Sequence, residues 1–435
     1  MHEDKLTEIA IVVVAALIGG LGLARLKQPP ILGYILTGVL LGPSGLAFIQ
    51  SREQVEVLAE LGVLLLLFVI GMELSLRTFK KTWVVATVCT LFQIIVSLGV
   101  TMLFSNIFGW SIGLSILLGF VTSLSSTAVV VKMLESIGEI KTDTGQLAIG
   151  ILIAQDLAIV PMILILRNFG QPWYNPALFI KLAVSVGLIV TLIGYLSRKQ
   201  RVRLPLTRII AGEKELAPLA SLTFCFAAAA ISGLIGLSAA YGAFLAGLVL
   251  GNTHERLIMI ETTKPIQSIL MMAFFLSIGL LLDTDFIWQH RATVLMILFA
   301  ITIGKTALNI GILRFLRVPW NQAFLVGVVL AQLGELTFLM TTVAHESEII
   351  NDFGEKLIIA LTVLSLALSP LWLSLARRFR DLADTNIDGL RSTLRFVYGH
   401  ETSWLGRIYR KVKTQPSSVQ DPETTNEKLD KQNRA

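Results

Sequence analysis

Charge is scarce in this chain. Only 15% of its 435 residues are Asp, Glu, Lys or Arg, against about a quarter in an average soluble domain, while 54% are hydrophobic. Water is thereby excluded as the solvent for most of the chain. Cysteine is scarcer still: Cys89 and Cys225 both lie inside apolar runs, which excludes a disulfide framework and a thiolate metal site. The five histidines, His2, His254, His290, His345 and His400, fall in connections or tails, which argues against an imidazole metal site at bilayer depth. Basic residues outnumber acidic ones, 36 to 30, but no basic stretch is interleaved with stacking aromatics, so no nucleic-acid partner is expected.

What fills the chain instead is a series of apolar runs of about 20 residues, the length that crosses a bilayer as a helix. Cutting at charged and Pro/Gly-rich breaks gives about thirteen such runs between residues 6 and 377. The first, Leu6 to Leu26, has no small-residue cleavage site and leads directly into the second, so it reads as a retained span. Basic residues alternate between the two sides of this arrangement. With the N-terminus outside, the inner connections collect Arg25, Arg77, Lys141, Arg203, Arg256, Arg317, Arg378 and many more, and the outer ones hold only Lys5, Arg52, Arg167, Lys181, Arg291 and Lys356. The expectation is an all-α polytopic protein of the inner (plasma) membrane, surrounded by lipid, with its C-terminus in the cytoplasm.

The runs repeat. Gly33, Gly38 and Gly42 align with Gly242, Gly247 and Gly251 at an offset of 209, Pro161 falls on Pro370 at the same offset, and Phe68 and Gly71 resemble Phe275 and Gly279 at nearly that spacing. Each pair lies seven runs apart, an odd number, so the two halves cross the membrane in opposite directions. Inverted-topology repeats of this kind, with a midplane site between broken helices, characterise secondary transporters. The boundaries expected are repeat 1 at about 6–167, a linker helix at 178–215 and repeat 2 at about 216–377, together a membrane domain of residues 1–380. Residues 381–435 form a cytoplasmic tail, amphipathic at Arg391 to Lys413 and disordered from Thr414 onward.

An ionisable group at bilayer depth costs at least ~2.5 kcal/mol on insertion scales, so each one is a functional candidate. Those placed well inside spans are Asp156, Lys305 and Glu335. Asp156 sits mid-span beside Gln155 with no other carboxylate in its helix. A lone carboxylate in a water-accessible cavity holds a proton or a dehydrated cation but hardly both, because either neutralises the charge that attracts the other. Gln155 adds a neutral carbonyl ligand. Lys305 needs a partner or a lowered pKa at depth; Asp156 is the obvious partner, in a salt bridge that is structural or opens when the cation binds, and the alternative is that Lys305 itself carries a proton. Two segments are least like continuous apolar helix, Ser123 to Thr127, with Ser125, Ser126 and Thr127, and Gln332 to Leu336, with Glu335. Both read as helix interruptions whose freed backbone is met by side chains, water or ions, with Glu335 either neutralising a positive half-helix end or taking part in ion transfer. Glu73, near the inner end of its span, reads as an interfacial or gating contact. An intramembrane protease lacks its second aspartate or serine–histidine pair, and a cation channel stands as the alternative class because pores also use broken helices.

In this order, Phe68-Val-Ile-Gly71-Met-Glu73, Ser125-Ser-Thr-Ala-Val-Val130, Ala154-Gln-Asp156, Gly242-Ala-Phe-Leu-Ala-Gly247, Phe275-Leu-Ser-Ile-Gly279, Gly304-Lys305 and Gln332-Leu-Gly-Glu335 resemble the monovalent cation:proton antiporter-2 family, which includes the Kef-type potassium efflux systems. The resemblance covers residues 6 to about 380. It implies exchange of potassium, or else sodium, for protons with no cofactor. It also implies a homodimer whose mobile core carries Gln155, Asp156 and Lys305 across the membrane in an elevator-like motion. Gln-Asp in place of two adjacent acids resembles the potassium-type, electroneutral variant. A divalent cation such as iron is the alternative cargo. Kef-type chains continue into a nucleotide-binding domain, and no strand followed by Gly-x-Gly-x-x-Gly follows the last span here.

Overall fold

A computed structural model describes residues 2–26, 28–48, 53–74, 76–169, 176–198, 216–235, 238–368, 371–372 and 374–376. The linker stretch 199–215, Pro370 and the tail from residue 377 lie outside them. Every regular element among the described residues is helical. The helices are α1 (His2–Arg25), α2 (Pro30–Leu41), α3 (Glu53–Glu73), α4 (Leu76–Phe108), α5 (Ile112–Ser123), α6 (Thr127–Ser136), α7 (Asp143–Arg167), α8 (Pro176–Arg198), α9 (Leu216–Leu234), α10 (Ala239–Leu250), α11 (Arg256–Leu281), α12 (Thr284–Gln289), α13 (Arg291–Phe315), α14 (Trp320–Val329), α15 (Leu336–Glu346) and α16 (Asp352–Ala367). Six helices or in-line helix pairs are long and apolar enough to cross a membrane, and shorter apolar helices stand between them, so helix length alone does not reproduce the count of thirteen. Helical backbone satisfies its own hydrogen bonds, which is why apolar chain of this composition adopts it.

The repeat seen in the sequence reappears as duplicated geometry. Thr142 caps α7 by accepting from the Gly145 N–H, and Asn351, at the 209 offset, caps α16 by accepting from Gly354 N–H. Helix crossings are duplicated too. At Gly33 an added Cβ would lie 2.4 Å from the Gly19 carbonyl oxygen, and at Gly242 2.2 Å from that of Ala228. Gly38 packs on the backbone at Leu276, and its counterpart Gly247 packs on the backbone at Phe68. Gly71 packs on Phe244, and Gly279 on Ile35. Each half thus lends a helix to the other: α2 lies across α11, and α10 lies across α3. Small residues at such crossings let backbones approach, the usual basis of helix association where water supplies no hydrophobic drive.

These crossings tie α1, α2, α3, α9, α10 and α11 into one group. A second group comprises α4, α7 and α13 around the two interrupted helices, α5/α6 and α14/α15, closed by α16. Contacts between the groups are sparse, and a cavity of about 210 Å³ opens between them. Both interruptions expected from the sequence are present, at residues 124–126 and 330–335.

Candidate functional site

The two interrupted helices cross at their breaks. An added Cβ at Gly334 would lie 2.9 Å from the Ser125 carbonyl oxygen, and Ser125 Oγ donates to the Leu330 carbonyl at 2.8 Å. Breaking a helix in mid-membrane leaves carbonyls without partners at one end and N–H groups at the other. Here four such ends meet: the C-termini of α5 and α14 and the N-termini of α6 and α15.

Lys305 answers the two C-termini. Projecting from α13, its ammonium donates to the Leu124 carbonyl and to that of Gln332, the latter at 3.0 Å. Glu335 answers the two N-termini. It immediately precedes α15, and its Oε2 accepts from Ser126 Oγ at 2.5 Å, Ser126 being the residue that caps α6. Half-helix ends carry partial charges, negative at the C-terminus and positive at the N-terminus, so a buried cation and a buried anion are each placed where the backbone field favours them. Lys305 is 4% exposed and Glu335 8%, so neither relies on water.

The expected ion pair between Lys305 and Asp156 is not formed: no such pair lies within 4 Å among the described residues. Two backbone carbonyls, each without a helical partner, hold the ammonium instead, and a break supplies acceptors that a residue-by-residue reading overlooks.

Asp156 therefore has no fixed countercharge among the described residues. It lies on α7, 7% exposed, and its carboxylate accepts from Thr127 Oγ1 at 3.2 Å to Oδ2 and 3.4 Å to Oδ1. Thr127 is the first residue of α6, so the break holds a hydroxyl against the carboxylate. Gln155 sits beside it: Oε1 accepts the Ser125 N–H at 3.0 Å, and a carbonyl oxygen keeps a second lone pair. Asp156, Gln155, Ser125, Ser126, Thr127 and Glu335 are thus gathered around one crossing, with Lys305 on its carbonyl side. Glu73 is set apart at the end of α3, exposed and 2.5 Å from Lys264. Its surface position agrees with an interfacial contact.

Two residues escaped sequence reasoning. Gln155 Nε2 donates to Gln93 Oε1 at 2.9 Å, and Gln93 Nε2 donates to Asn309 Oδ1 at 2.8 Å, both amides being essentially inaccessible. Their signal was an isolated amide in each of two apolar runs, weaker than a charge. The inter-group cavity meets α7 about two turns from Asp156. It is lined by Glu60 of α3, Ile163 and Arg167 of α7, Ser277 of α11, and Thr342 and Glu346 of α15. Ile163 stands seven residues from Asp156, about 10 Å along α7.

Comparison with known proteins gives the family and the fold. Residues 11–376 match the family model described as sodium/hydrogen exchanger, transmembrane. The chain is 46% identical over 413 residues to the iron transporter MagA of Paramagnetospirillum magneticum, covering 95% of each. It is 32% identical to the K(+) efflux antiporter 5 of Arabidopsis thaliana, covering 84% of this chain and 65% of that one. Against the glutathione-regulated potassium-efflux system protein KefC of Escherichia coli the figures are 27%, 81% and 57%. The chain thus spans less than two thirds of the length of these two potassium efflux relatives. In fold it is similar to the sodium proton antiporter MjNhaP1 of Methanocaldococcus jannaschii, with TM-score 0.66 at 16% identity over 88% of this chain and all of that one. The chain belongs to the sodium/hydrogen exchanger family of membrane cation:proton antiporters.

Proposed function

We propose that the chain exchanges a monovalent cation, potassium in the first place and sodium in the second, for protons, with Asp156 as the seat of both. One observation carries this reading: Asp156 is a buried carboxylate whose hydrogen-bond partner is a neutral hydroxyl, so its charge is answered by whichever cation arrives. A proton and a desolvated metal ion compete for it, because burial makes the uncompensated anion costly and the other nearby carboxylate, Glu335, is already engaged at the helix N-termini. The surrounding donors, Thr127 Oγ1 and Gln155 Oε1, are hard neutral oxygens suited to an alkali cation. With one acid at the centre, a cation carried one way and a proton the other move no net charge.

The sparse contact between the two helix groups supports an elevator-like cycle. The group holding Asp156 shifts against the glycine-crossed group, and the cavity bounded by Glu60, Arg167 and Glu346 forms one of the two access routes. The membrane is the inner (plasma) membrane, the N-terminus outside and the C-terminus cytoplasmic, following the distribution of basic residues. Residues 1–380 form the antiporter domain, with repeats at about 6–167 and 216–377 joined by 178–215, and two copies form a homodimer.

A divalent cargo is the second reading, favoured by the 46% identical relative being an iron transporter. Proteoliposomes with an imposed pH gradient decide both points. Uphill uptake of K⁺ or Na⁺ driven by the gradient supports the proposal, uphill Fe²⁺ uptake with inert alkali cations supports the alternative, and uncoupled dissipation of either gradient indicates a channel and overturns both.

A further inference from the structure

The two residues missed by sequence reasoning form an ordered chain that ends at the cation site. The Ser125 backbone N–H can only donate, so the atom of Gln155 that receives it is the carbonyl oxygen. That fixes the remainder. Gln155 presents its NH₂ to Gln93 Oε1 at 2.9 Å, and Gln93 presents its own NH₂ to Asn309 Oδ1 at 2.8 Å. Three helices, α7, α4 and α13, supply one link each, and Gln155, Gln93 and Asn309 are at most 1% exposed. Water therefore offers none of them an alternative partner. The chain stops at Asn309 Nδ2, which is buried without an acceptor. Leaving such a group unmet costs about 1–3 kcal/mol, a cost that core packing alone gives no reason to retain.

We propose that Gln93 and Asn309 are positioning residues for cation binding. They hold Gln155 with Oε1 turned to the helix break that also carries Thr127, so that its remaining lone pair serves the cation at Asp156. The orientation matters because a flipped Gln155 would turn an NH₂ group, a donor, toward a positive ion. The chain acts on the strength of the ligand as well. Each donated N–H polarises the next carbonyl, so Gln155 Oε1 carries more negative charge than an isolated amide oxygen. The inference rests on the exchange reading above for its cargo.

The test uses the full chain in proteoliposomes with KCl as the probe, reading the apparent KM and kcat of K⁺/H⁺ exchange. In parallel, the KCl concentration for half-maximal thermal stabilisation of the solubilised protein reports binding without transport. Gln93→Leu removes the acceptor that orients Gln155. It raises both the KM and the stabilisation midpoint about tenfold, about 1.4 kcal/mol of binding, with kcat within about twofold. Asn309→Leu shifts both in the same direction, and Asn309→Asp, which keeps an acceptor for Gln93, shifts them less. A purely structural amide lowers kcat or yield and leaves KM and midpoint where they are; that result in Gln93→Leu overturns the proposal. Should Gln93→Leu not survive solubilisation, equal midpoints in the two Asn309 variants overturn it. A wild-type protein that is stabilised by KCl but does not exchange it refutes the transport reading and leaves the positioning test in force.

Discussion

Ser126 Oγ and Glu335 Oε2 lie 2.5 Å apart and 209 positions apart in the chain, which is the repeat offset itself. The twofold relation between the halves therefore passes between equivalent residues that have diverged. Two glutamates there would set carboxylates against each other, and two serines would leave the positive ends of α6 and α15 with no anion between them. The observed pair gives one charge and one donor. On the opposite side of the crossing Lys305 meets the two carbonyl ends, so the pair of breaks is neutralised as a unit and Asp156 is left out of that balance.

Asp156→Asn keeps the size of the side chain and an acceptor for Thr127, and removes the carboxylate proposed to exchange a cation for a proton. Exchange in proteoliposomes is expected to fall to the level of empty vesicles, with membrane yield and thermal stability unchanged or raised, since a buried charge has been removed. Exchange at wild-type rate in this variant would take Asp156 out of the mechanism.

Lys305 is expected to matter more for holding the crossing together than for contacting Asp156. Lys305→Met leaves the Leu124 and Gln332 carbonyls unmet, each worth about 1–3 kcal/mol. The melting temperature in detergent should drop markedly. Lys305→Arg, which still donates, should lose less. Equal melting temperatures for the wild type and Lys305→Met would count against this role.

Glycine substitutions separate close crossings from free helix faces. An added Cβ at Gly247 would sit 1.9 Å from the Phe68 carbonyl oxygen, whereas at Gly311 it would meet nothing within 4 Å. Gly247→Ala should push α10 off α3 and reduce both yield and melting temperature. Gly311→Ala should be neutral or slightly stabilising, by up to about 1 kcal/mol from helix propensity. Comparable melting temperatures for the two variants would contradict the packing described.

Asp283, beyond the end of α11, accepts from Lys356 Nζ at 2.8 Å and caps α12 through the Phe286 N–H at 2.8 Å. The Lys356 hydrogen bond, then the backbone one, hold its carboxyl below the ordinary range. A carboxyl whose pKa is lowered by folding contributes above its unfolded value of about 4 and loses that contribution as pH falls through the lower folded value. Asp283→Asn should therefore lower the melting temperature modestly at pH 7, by the equivalent of at most about 1 kcal/mol for so exposed a pair. The difference should close below about pH 4. A gap that persists unchanged at acid pH would assign the effect to the cap and not to the charge.

The fold was legible because its rules are one-dimensional. The apolar runs that become helices and the glycine spacing at Gly33/Gly38/Gly42 and Gly242/Gly247/Gly251 that becomes helix crossings are properties of the chain read in order, whereas the count of thirteen spans is not recovered from helix length. That Asp156 is buried was legible for the same reason, since it is the one acid in the apolar run 144–167. The partner of Lys305 was not, because a backbone carbonyl released by a break has no letter in the sequence. Gln93 and Asn309 were missed because an uncharged amide costs little at depth once paired, and the pairing depends on how α4, α7 and α13 are rotated against one another.

The exchange of helices between halves, α2 onto α11 and α10 onto α3, also bears on how the molecule is made. Residues emerging first cannot bury the glycine faces of α2 and α3 until the chain has been synthesised past Leu281. During that interval the nascent N-terminal half sits in the bilayer with the glycine faces at Gly38 and Gly71 unfilled. A chain halted after Arg167 would keep them so, open to lipid or to a neighbouring copy, and biogenesis is thereby coupled to completion of the second half.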